Sequence, residues 1–69
     1  MTNKRESLTK LTQCLMLALS APTDEQADRA IDLSIDLAAI ASSLGATDKD
    51  IDLCKKAALV AVEYLNQQA

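Results

Sequence analysis

Residues 22–47, PTDEQADRAIDLSIDLAAIASSLGAT, decide the fold, because they hold both places where the chain can turn sharply. Pro22 and Gly45 are the only proline and the only glycine in 69 residues. Proline breaks a helix interior, and glycine is the usual left-handed residue just past a helix end. Thr23 followed three residues later by Gln26 is a capping-box signature, and Asp24 and Glu25 suit the first-turn dipole. The segment therefore reads as one helix, about 24–44, with a tight turn at each end.

The same reading extends outward. Before Pro22, ESLTKLTQCLMLALSA places Leu8, Leu11, Leu15 and Ala18 at helical spacing, and Asn3 with Glu6 can open that helix. After Gly45, Thr47 is the cap of a third helix, with Asp48 and Asp50 in its first turn. Short connections between long helices make antiparallel neighbours. The expectation is an all-α protein with a single helical domain over 1–69. Its three helices, about 4–21, 24–44 and 48–67, run up-down-up and self-associate into a helical bundle.

Composition narrows the class. One Tyr, no Phe and no Trp leave Leu, Ala and Ile to do the packing, and they bury less area per residue than aromatics. A chain this short gains only thin stability from one core. The 49% hydrophobic content is too high for a disordered tail. No run approaches the roughly 18 apolar residues of a membrane span. Lys4, Arg5 and Lys10 ahead of CLMLALSA imitate a secretory leader, but Lys10, Thr12 and Gln13 interrupt the apolar stretch, so it reads as helix. Cys14 and Cys54 stand in no metal or redox motif and read as buried thiols of a cytoplasmic chain.

The second helix carries Asp24, Asp28, Asp32 and Asp36 in steps of four. At about 100° per residue, Asp28, Asp32, Asp36, Glu25 and Arg29 share one polar arc, and nearly all the rest of the helix is apolar. The third helix has a similarly broad apolar side, holding Ile51, Leu53, Cys54, Ala57, Ala58, Val60, Ala61, Val62, Tyr64 and Leu65. Such arcs are wider than the stripe of roughly 100° that one core requires. A second copy or another protein is therefore expected to cover the remainder. Leu59 on the polar side of the third helix, and Met16 and Leu17 off the main face of the first, extend that expectation. The expected contact residues are Ile31, Ile35, Leu59, Val62, Met16 and Leu17, with Asp28, Asp32 and Asp36 as an acidic rim.

The residues for most chemistry are missing. There is no histidine to act as a neutral-pH base or metal ligand, and one glycine cannot make a phosphate-cradling loop. Neither cysteine has the electropositive, exposed setting of a nucleophile. Asp32 and Asp36 on one helix are a poor match to a site of six to eight oxygens. The expectation is no enzyme, no cofactor and no metal. Nucleic acid is disfavoured by a net charge of −3 and the lack of aromatics for stacking.

The tract Asp24, Glu25, Gln26, Ala27 and Asp28 resembles the run that opens the second helix of the repressor-of-primer helical hairpins. The resemblance implies dimeric binding of paired RNA loops. It covers five residues, and a third helix and the missing aromatic on the first helix depart from that family's pattern. The leading expectation is a non-catalytic regulator or adaptor, a homodimer that contacts another protein. The alternative is a dimeric nucleic-acid binder using Lys4, Arg5, Lys10 and Gln13. A small-molecule binder is a third class, which predicts a ligand retained through purification.

Overall fold

The computed structural model describes residues 3–68, which form α1 (Lys4–Ser20), α2 (Asp24–Ser43) and α3 (Asp48–Gln68). There is no strand among the described residues. The helices begin where the caps place them. Asn3 Oδ1 accepts from the Glu6 amide at 2.8 Å, and Thr23 Oγ1 accepts from the Gln26 amide at 3.2 Å. The third cap is reciprocal: Thr47 Oγ1 accepts from the Asp50 amide, while Asp50 Oδ2 accepts from the Thr47 amide. These bonds satisfy donors that the first turn of a helix leaves open. At the end of α2, Gly45 takes φ +103°, the Ala46 amide returns to Ala41 O, and the Gly45 amide returns to Ser42 O. That pairing is the Schellman C-cap, which needs a left-handed residue where Gly45 stands.

The hub of the fold is α1. It packs along both α2 and α3, whereas α2 and α3 barely meet each other. Two contacts fix the α1–α3 register at an offset of 46 residues: Lys4 Nζ lies 3.3 Å from Asp50 Oδ2, and the Cys54 thiol donates to Leu8 O at 3.5 Å. The constant offset makes these helices parallel, with α2 descending between their ends. On the other side of the hub the Cys14 thiol donates to Ala30 O at 3.0 Å. Each cysteine thus joins two helices while remaining a free thiol.

Small side chains line these seams. Ser7, Ala41 and Ala58 are fully enclosed, with Ser34, Cys14 and Cys54 close behind. Among the described residues, Leu11 and Val62 are the large apolar side chains that are buried. Small residues let helix axes approach toward the lower end of the usual 8–10 Å, so the centre of each seam goes to alanine, serine and cysteine. The bulkier leucines and isoleucines are left on the flanks.

The consequence is a large apolar exterior. A folded monomer of 7.4 kDa presents about 4,200 Å² of surface, and this chain presents 5049 Å². Twelve large hydrophobic side chains are exposed among the described residues. The radius of gyration, 12.1 Å, also exceeds the roughly 11 Å of an average compact chain of this length.

Candidate interaction surface

The bulky residues that the seams exclude gather in separate places. The first is a cleft of about 290 Å³ where α2 and α3 part over α1. Ile31 stands on its α2 wall, Leu59 and Lys55 on its α3 wall, and Leu15, Ala18 and Leu19 line it from α1. Leu59, on the polar side of α3 by sequence, is 48% exposed and lines this cleft together with Ile31 of α2. Ile35, one turn beyond Ile31, is exposed as well.

Of the other expected contact residues, Leu17 lies apart from this cleft. It is 65% exposed and lines a hollow with Pro22, Gln26 and Ala30 at the α1–α2 turn. Met16 is half-buried on α1. Val62 requires a correction: it is only 8% exposed and belongs to the interior, not to a contact surface. Its position on α3 aligns with Cys54 and Ala58, the residues turned onto α1. Sequence periodicity groups Val62 with Val60 on one broad side, and the packing divides that side in two.

The divided half is a surface that the sequence reading did not single out. Leu53, Ala57, Val60 and Tyr64 run along α3 about 120° around the helix from the line that packs on α1, and all four are exposed. With Lys56 and Ala61 they line a shallow hollow on the outside of α3. The signal available in the sequence is their spacing of four, three and four residues, the a/d repeat of a helix-pairing seam.

Asp28, Asp32 and Asp36 are exposed on the face of α2 opposite the Ala27, Ala30, Ser34 and Ala41 line that packs inward. Arg29 pairs with Glu25 at 2.8 Å on the same face. Asp50 behaves differently. The hydrogen bond from the Thr47 amide, followed by that from Lys4, holds its carboxyl below the usual carboxylate range. Burial pushes the Cys14 thiol up, which keeps it neutral.

The basic residues of α1 do not act as one set. Lys4 is engaged by Asp50. Arg5, Lys10 and Gln13 border a shallow hollow on the outer face of α1 together with Glu6 and Thr9. No group of three or more potential metal-ligating side chains occurs among the described residues. No helix among them is long and apolar enough to cross a membrane. Comparison with protein families, curated proteins and solved structures finds no match to this chain.

Proposed function

We propose that this chain is a small, non-catalytic regulator or adaptor of the cytoplasm that self-associates and binds another protein through its helical surface. The observation that carries the reading is the three-helix cleft, which exposed Ile31 and Leu59 line together with the half-buried Leu15 and Ala18 and the exposed Leu19 of α1. Contiguous apolar surface of this kind marks sites of protein contact. Affinity comes from Ile31, Ile35 and Leu59. Asp28, Asp32 and Asp36 beside them tune specificity and on-rate toward a basic partner. Buried thiols that donate to backbone carbonyls suit a reducing compartment.

The rival is a nucleic-acid binder using Arg5, Lys10 and Gln13, which share one hollow on α1. Glu6 in that hollow and the engagement of Lys4 by Asp50 weaken it. The test is to immobilise the chain, expose it to lysate of cells that make it, and wash with rising salt. A protein retained through high salt and lost on Leu59→Asp supports the adaptor. A nucleic acid released steeply with salt supports the rival.

A further inference from the structure

We infer that the outer stripe of α3 is a dimer seam on which α3 of a second copy lies antiparallel, with Lys56 and Glu63 exchanging ion pairs across the two-fold axis. This inference rests on the reading of the chain as self-associating, and it adds the surface and the geometry.

The stripe has the form of a pairing face. Leu53, Ala57, Val60 and Tyr64 follow the a/d repeat, and all four are exposed. An antiparallel partner centred between Ala57 and Val60 sets Leu53 against the partner's Tyr64 and Ala57 against the partner's Val60. Large residues then close the ends, and the small alanine sits where the axes come nearest.

Charge complementarity selects a second copy as the occupant. Lys56 and Glu63 are seven residues apart on the same edge of the stripe, both exposed, and neither joins an ion pair among the described residues. In the antiparallel pair Lys56 and the partner's Glu63 stand within about 3 Å of each other along the axis, at a rise of 1.5 Å per residue. The two-fold repeats the contact, so both charges on both chains are matched, as an isologous interface requires. A parallel pair sets Lys56 beside the partner's Ala61 and matches neither charge.

The chain as a whole presents 5049 Å², about 800 Å² more than an average monomer of this mass, and Leu53, Val60 and Tyr64 are among its exposed large hydrophobic side chains. Leu59 lies about 130° around α3 from the stripe, so the cleft stays open to another protein in the dimer.

The experiment is sedimentation of the full chain at low salt, as wild type, Lys56→Glu, Glu63→Lys and an equimolar mixture of the two variants. Each single change turns two attractions into two repulsions and is expected to weaken self-association about tenfold. The mixture is expected to restore the dimer, because the changed charges then meet their opposites, and that recovery also shows that both variants fold. Variants that dimerise as tightly as wild type, or a mixture that gains nothing, overturn the antiparallel α3 seam. If the dimer then yields to Leu59→Asp, self-association stands and runs through the cleft. A wild-type chain that is monomeric throughout overturns the seam and the self-associating reading together.

Discussion

Val60 and Val62 sit two residues apart on α3, and truncating each to alanine separates the interior from the surface. Val62 is 8% exposed and Val60 is 63% exposed. Fully burying a valine side chain contributes about 1.5–3 kcal/mol, and alanine at Val62 also leaves a void between α1 and α3. Alanine is the better helix former by about half a kcal/mol, which offsets part of the loss at both sites. The expected cost is about 1.5 kcal/mol for Val62→Ala and near zero for Val60→Ala within one protomer. For a domain of this size that is a fall in melting temperature of roughly 6–12 °C for the first and little for the second. Thermal melts followed by far-ultraviolet circular dichroism, run over a range of protein concentrations, read both. The Val62→Ala loss should persist at every concentration, while a Val60→Ala loss should emerge only where the wild type is associated. Equal losses at the lowest concentration would refute the assignment of Val62 to the α1 seam and Val60 to the exterior.

Three further outcomes follow from single residues. Ser7 is fully enclosed and its hydroxyl has no hydrogen-bond partner among the described residues, so Ser7→Ala should be neutral or stabilising by about 1 kcal/mol in urea denaturation. Gly45 holds φ +103° with open space around a would-be Cβ, so Gly45→Ala should cost about 1 kcal/mol from backbone strain alone, read by the same method. Asp50 has its pKa lowered from 3.8 by the Thr47 amide and Lys4. Its contribution is therefore present above the ordinary carboxylate value and lost as pH falls through the lowered one. The stability gap between wild type and Asp50→Asn, followed by circular dichroism during acid titration, should close over that interval and stay constant at higher pH.

The helix count, the turns and the caps were legible because each rests on local chemistry: Asn3, Thr23 and Thr47 cap as their spacing predicts, and Gly45 ends α2. The expected ends, 21, 44 and 67, each fall within one residue of the observed ones. What periodicity could not supply is which part of a wide apolar arc faces inward. On α2 that choice fell to Ala27, Ala30, Ser34 and Ala41, because close approach to α1 favours small residues over Ile31 and Ile35. On α3 the same rule enclosed Cys54 and Ala58 and left Leu53 outside, while Val62 is enclosed because it shares their face of the helix and Val60 is exposed because it does not. The central place of α1 was also hidden, since its apolar pattern is weaker than those of its neighbours. The thiol contacts of Cys14 and Cys54 depend on register between helices, which no single-helix pattern encodes.

The most direct test of self-association is the absolute mass of the wild-type chain in solution, by sedimentation equilibrium across a wide concentration range. The expected result is a species of twice the 7.4 kDa protomer mass that dissociates on dilution, with a melting temperature that falls as it does so. A folded monomer at every concentration, with a melting temperature independent of concentration, would contradict it.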